Sequence, residues 1–443
     1  QAVDSFRKVK VLKNHLFYLA LTYMKKGVEQ GVVLPTPIAR KVIPQLSAHI
    51  TDDVESSVFY GPVTRLEEND AISAESKTAL KEAYISTIRN VIIPAYRRVH
   101  DYMTAQYLND TRSSVGLSDL PDGKDWYEYQ IATHTTLPLT ADEIHDFGQQ
   151  EVARILSEME KVKEQVEFNG DLPAFFEHLR TDDAFYFDSE QAVIDAYTQV
   201  KDKIDARLPE LFGIFPNADY VVKAVEPFRA ASAAGASYQP PAPDGSRPGI
   251  FYINTHNLKA QPTFIVETLS VHEAAPGHHF QIAIQQEVEN LPLFRKYNGY
   301  TVFSEGWALY AESLGKEMGL FTDPYQWYGR LSDEQLRAMR LVVDTGLHAK
   351  GWSRQQAINF MLENSSMAES DVIAEVERYI AIPGQALAYK VGQRHIRALR
   401  NKAERELGSQ FDIKVFHKEI LIDGGLPMPI LSEKINRWIT AQE

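Results

Sequence analysis

Two long stretches at helical period, Ser76 to Tyr107 and Ala141 to Val166, dominate the first half of the chain and direct it toward a mainly α-helical fold. Apolar residues recurring three and four positions apart line one stripe of a helix, whereas a strand needs alternation at every residue. Thr140 followed by Glu143 reads as a capping-box start, and Ser332 with Gln335 and Ser353 with Gln356 repeat the device. Each pair predicts a helix beginning just after its Ser or Thr.

The pattern changes between Asp219 and Leu258. There YVVKAVE, ASYQPPAPDGSRPG and IFYINT alternate or run apolar with β-branched and aromatic residues, which predicts a small antiparallel sheet. Helices resume after Pro262 and continue almost to the end, broken at 423–432 (DGGLPMPILS) before a last short helix. The expected organisation is a helical part over 1–218 followed by sheet and helices over 219–443, joined as one continuous domain.

With 44% apolar and 24% charged residues, the 443-residue chain can bury a sizeable core, which excludes disorder as its dominant state. Sixty acidic against 46 basic residues leave a net charge of -14, which repels phosphate backbones and anionic membrane surfaces, so nucleic-acid binding is not expected. Leu16 to Met24 is about half a bilayer span and is flanked by Lys13, Lys25 and Lys26. It reads as an amphipathic core helix, and no transmembrane segment is expected. Gln1 is not followed by a charged-then-apolar leader, which suggests a processed chain or a fragment. Cysteine is absent, so any metal must be held by His, Asp or Glu.

The stretch TLSVHEAAPGHHFQIAIQQ, 268–286, places His272, His278 and His279 beside Glu273. A cysteine-free zinc hydrolase needs two imidazoles and usually a carboxylate as ligands, an open position for water, and a second carboxylate to take that water's proton. In the common HExxH spacing the ligands at i and i+4 share a helical face, but here the position four after His272 is Pro276. His278 and His279 stand roughly 9 to 10.5 Å further along a regular helix, too far to share one ion with His272. The helix must be distorted, and Pro276 and Gly277 are the residue types most able to distort it. FSEGWALYAESLG, 303–315, adds Glu305 and Glu312 two turns apart on one face of a second helix. Glu305 can complete a His, His, Glu site if the two helices lie side by side.

This arrangement resembles the gluzincins, with GWALYAE similar to the EGFxxYxE run of that clan's aminopeptidases. Closer still, HEAAPGHH, SEGWALYAE, DTGLHAKGWSRQQA and ERYIAIPGQALAYKVG, with DGKDWYEYQIATHTT and LTADEIHDFG upstream, resemble the bacterial domain-of-unknown-function family 885 over most of the chain. That family is related in fold to the thermostable carboxypeptidase Taq family and more distantly to angiotensin-converting enzyme. Its members are usually longer at the N-terminus. The resemblance implies a zincin-like helical fold and one Zn2+ per chain. His272 would be the first ligand, Glu305 the third and Glu273 the general base acting on the metal's water. His278 is the favoured second ligand, because Gly277-His278 continues the Gly-His pairs of related motifs, with His279 as the alternate. Tyr389 resembles the tyrosine that steadies the oxyanion in related peptidases, and Tyr379 and His348 are further candidates.

The implied activity is a zinc-dependent peptidase acting on short peptides, with carboxypeptidase action first. That action calls for a basic residue near the metal, with Arg330, Arg337, Arg340 and Arg394 as options. IFYINT would be the strand on which an extended peptide adds. The rival readings are a catalytically inactive peptide-binding shell of the cell envelope and a hydrolase of non-peptide amides or esters. Export or lipoprotein leaders are common in the family, which favours the periplasm or envelope over the cytoplasm.

Overall fold

The computed structural model describes residues 2–230 and 233–442. The chain is mainly helical and divides into two compact units, Gln1–Gly123 and Lys124–Glu443. The change in residue pattern at 219 therefore marks the start of the sheet within the second unit. Among the described residues no helix is long and apolar enough to cross a membrane.

In the first unit, α1 (Ala2–Glu29) and α2 (Thr36–Ser47) accompany a helical run over 74–110. Phe17, Leu21, Met24 and Val28, three or four positions apart on α1, pack against Ala39, Val99, Met103 and Tyr107. Leu16, Tyr18 and Tyr23 lie on the exposed side, so this stretch is amphipathic, as its pattern implies. The run containing Ser76 to Tyr107 carries two π-helical turns, 88–92 and 103–107, wide turns that rotate its apolar face.

In the second unit, α3 (Ala141–Gln165) starts at the expected capping box. Thr140 Oγ1 accepts from the Glu143 amide at 3.2 Å, and Glu143 Oε2 accepts from the Thr140 amide at 2.9 Å. Ser353 and Gln356 close the same box at the helix Arg354–Glu363. Ser332 does not start a helix. It lies inside α8 (Pro324–Ala349), where Pro324 occupies the first turn and Asp323 Oδ1 caps the Tyr325 amide at 2.8 Å. Tyr328 and Leu331 are already buried upstream of Ser332, so the apolar stripe runs past this local signal.

After α4 (Glu190–Leu211) come β1 (Tyr220–Ala224), β2 (Ala236–Gln239) and β3 (Gly249–Ile253), in the order β1-β3-β2. The expected antiparallel sheet is instead mixed, with β2 antiparallel and β1 parallel to β3. The chain reverses between β1 and β2 and again between β2 and β3. Thus β1 and β3 run the same way, and β3 enters between β1 and β2. The expectation that IFYINT receives a peptide strand is also overturned. Its strand, β3, is bonded on both edges and all five of its residues are buried.

The sheet leads into α5 (Val266–Glu273), α6 (His278–Glu287) and α7 (Thr301–Glu312), and α8 is followed by α9 (Glu369–Ala381) and α10 (Ala388–Leu407). Helices α7 and α10 meet backbone to backbone at Gly306 and Gly392. A methyl on Gly392 would lie 2.0 Å from the Val302 carbonyl oxygen, and one on Gly306 would lie 2.5 Å from the Gly392 Cα. No side chain can yield at such a contact, so the helices must separate if either glycine grows. Gly392→Ala should therefore lower stability by about 1–3 kcal/mol, the usual cost of overpacking, measured as an earlier thermal or urea midpoint by circular dichroism.

Candidate metal centre

α5 ends at Glu273 because the chain leaves helical angles at Ala274 (φ -105°, ψ -112°), and α6 restarts at His278. Between them, Gly277 (φ -75°, ψ -127°) passes directly under the end of α5. A Cβ there would stand 1.9 Å from the His272 carbonyl oxygen and 2.2 Å from that of Val271. Only glycine fits such a close approach. Trp307 of α7 donates from its indole to the Pro276 carbonyl at 2.8 Å and ties the break to the neighbouring helix. The distortion expected from Pro276 and Gly277 is thus a complete interruption between two helices.

The interruption brings His272, His278 and Glu305 together, with one potential ligand atom of each lying within 4.8 Å of the others. Glu305 Oε2 is 3.6 Å from His272 Nε2 and 3.4 Å from His278 Nε2, and the two imidazole planes are perpendicular. Ligands on a tetrahedral ion with bonds of about 2.0–2.1 Å stand roughly 3.3 Å apart, so these separations fit one cation. Glu305 Oε2 and His278 Nδ1 are buried without a hydrogen-bond partner. A carboxylate oxygen left in that condition is costly unless a cation satisfies it.

Glu312, two turns after Glu305, is fully buried and its Oε1 lies 2.7 Å from His272 Nδ1. With Nδ1 donating to Glu312, Nε2 keeps its lone pair for the ion, the carboxylate–histidine–metal arrangement of many metal sites. Its role was missed in the sequence, although the two-turn spacing carried the signal. Burial opposes a charged His272, but the two carboxylates beside it, Glu305 and Glu312, outweigh it and raise the imidazole to about 10. Burial likewise opposes the Glu305 carboxylate, and the two histidines hold it well below its ordinary value. Both shifts reflect a pocket that demands positive charge.

His279 is outside this group. Its Nδ1 lies 2.8 Å from the Tyr238 hydroxyl, its ring packs on Tyr220 at 4.8 Å, and burial pushes it down to about 4. One residue's turn at the start of α6 sends His278 to Glu305 and His279 to the sheet. Glu273 follows His272 and is partly exposed, and no ion pair or hydrogen bond engages its carboxylate among the described residues. The buried Tyr197 hydroxyl has no partner, and burial with the charges of Asp333 and Glu273 keeps it protonated. His348 and Tyr389 are not in the group either. His348 Nε2 is 3.0 Å from the Tyr379 carbonyl oxygen, and the Tyr389 hydroxyl accepts from Arg378 at 3.3 Å beneath the Arg340 guanidinium. Of the four arginines considered, Arg337 is the one whose charge acts on both His272 and Glu312, and its Nε is buried without a partner.

Residues 14–435 match the family described as bacterial protein of unknown function, DUF885. The chain belongs to that family. Its fold is similar to that of the "putative lipoprotein" from Colwellia psychrerythraea, with 36% identity and a TM-score of 0.88 over 94% of this chain and 72% of the other. A "putative lipoprotein of unknown function" from Shewanella oneidensis shares the fold at 19% identity, with a TM-score of 0.70 over 90% of this chain and 73% of the other. No curated protein matches the sequence.

The geometry makes His278 and His279 separable. After dialysis against trace zinc, His278→Ala should lose the bound ion while His279→Ala retains it, as read by plasma mass spectrometry. Glu312→Gln should weaken the ion's affinity about 10- to 100-fold, as expected for loss of a partner behind the ligand.

Proposed function

We propose that this DUF885 protein is a zinc-dependent peptidase of short peptides, with His272, His278 and Glu305 as ligands. The observation that carries the reading is the buried, unpartnered Glu305 oxygen facing two imidazoles, with a free carboxylate, Glu273, next in sequence to the first of them. Zinc suits nitrogen and oxygen ligands in a tetrahedral set, and when bound it supplies Lewis acidity toward a carbonyl and acidifies water.

The chain's own residues supply the rest. Glu273 accepts a proton from the attacking water and returns it to the leaving amine, a role open to a carboxylate that no basic residue neutralises. Tyr197, protonated and unpartnered near Glu273, is a better-placed donor to the developing oxyanion than Tyr389 or His348, which are engaged elsewhere. Arg337 supports carboxypeptidase action, since its guanidinium is the cation that acts on His272 and has donor capacity left for a terminal carboxylate. We place the protein in the periplasm or cell envelope, supported by the lipoprotein description of the similar protein from Colwellia psychrerythraea.

A fluorogenic peptide library tests the reading. Glu273→Gln should keep one zinc per chain and lose at least about 100-fold in kcat, whereas His272→Ala loses zinc and turnover together. A Gln variant as active as the parent overturns the peptidase assignment, and parent protein that holds zinc without cleaving any peptide, amide or ester favours a binding shell. Arg337→Gln should raise KM for peptides with a free C-terminus and leave C-terminally amidated peptides unchanged. Equal effects on both would exclude Arg337 as the carboxylate anchor.

A further inference from the structure

Outside the metal centre, a cavity of about 480 Å3 opens between α3, the end of α7, α8 and α10. Its lining holds six cations, Arg154, Lys316, Arg330, Lys390, Arg394 and Arg397, against three carboxylates, Glu151, Glu158 and Glu334. This excess stands against the chain's net charge of -14.

The inner charges are matched to one another. Lys390, 2% exposed, bonds Glu334 at 2.5 Å and Glu151 at 2.8 Å. Arg154 reaches both carboxylates at 2.9 Å, and Arg330 pairs with Glu334. Glu158 pairs with Lys161 at 2.5 Å. Lys316, Arg394 and Arg397 are left with no carboxylate within ion-pair distance among the described residues. Lys316 and Arg394 lie over the rings of Trp327 and Phe147, at 3.3 and 4.1 Å, and Arg397 lies over Tyr310 while donating to Ser313. Partial loss of hydration holds Lys316 and Arg397 below their ordinary values, as expected of cations short of counter-charge. Beneath them Arg330, 4% exposed, turns into the same cavity with its Nε unsatisfied.

We propose that this cavity binds a phosphate-bearing small molecule, with Lys316, Arg394 and Arg397 holding the phosphate. Three unmatched cations around one space exceed what a single carboxylate neutralises. A phosphate monoester carries nearly two charges and three acceptor oxygens, and arginine forks suit it. Trp327, Phe147 and Leu331 offer an apolar wall to an attached organic group.

Isothermal titration calorimetry on the metal-free full chain at low salt tests this, with pyrophosphate, glycerol 3-phosphate and acetate as probes. One phosphate compound should bind per chain, more weakly as salt rises, while acetate gives no binding. The double variant Lys316→Gln/Arg394→Gln should bind at least tenfold more weakly. Both side chains are exposed, so the variant keeps its fold, checked by circular dichroism. Absence of binding by either phosphate probe, or equal binding by parent and variant, overturns the proposal. Co-sedimentation with phosphatidylglycerol vesicles that the double variant loses assigns the phosphate to a lipid headgroup, and phosphate binding without sedimentation assigns it to a free compound. No metal is needed, so the outcome is independent of the peptidase reading.

Discussion

The hydrogen bond from His272 to Glu312 governs the geometry around it. It fixes which imidazole nitrogen faces Glu305, and it joins the end of α5 to the end of α7 through two buried side chains. Glu305 meets the other nitrogen from two turns earlier on α7, so one helix grips both sides of a single ring. The Trp307 bond to Pro276 adds a third tie and holds the helix interruption where His278 can join. Without these contacts, Gly277 and Pro276 would only break a helix. With them, the break becomes a defined turn that returns a second histidine to the first.

Charge organises the second unit in two different ways. At the candidate metal centre two carboxylates face two imidazoles, with Arg337 acting across them, and the balance asks for an added cation. In the cavity beside α10 the inner ion pairs neutralise one another and the outer cations are in excess, which asks for an added anion. Glu312 and Ser313 are consecutive residues, so the end of α7 contributes to both places. Burying so many charges is favourable only where each finds a partner, and the few atoms that lack one therefore carry functional information.

Much of this was legible in the chain itself. Repeated apolar spacing gives the long helices, and Thr140 and Ser353 start theirs through bonds formed within one turn. HEAAPGHH and SEGWALYAE, similar to family 885, name the residues that gather at the centre. Ser332 misled because a local cap competes with an apolar stripe that begins earlier, and burial of that stripe is worth more than one cap. The strands were readable but their order was not, because alternation reports which face is buried and says nothing about which neighbour lies alongside.

By itself the sequence determined a helical protein, a cysteine-free set of possible ligands, and a helix that must break between His272 and His278. Each follows from covalent geometry or short-range spacing. Tertiary structure alone decided that His278 turns toward Glu305 while His279 turns to Tyr238, that Glu312 backs His272, and that β3 is closed on both edges. It also decided that His348 meets the Tyr379 carbonyl, that the Tyr389 hydroxyl meets Arg378, and that unmatched cations line one cavity. These outcomes rest on contacts between residues tens to hundreds of positions apart. Local periodicity sets which side of an element is buried, whereas packing sets what that side meets.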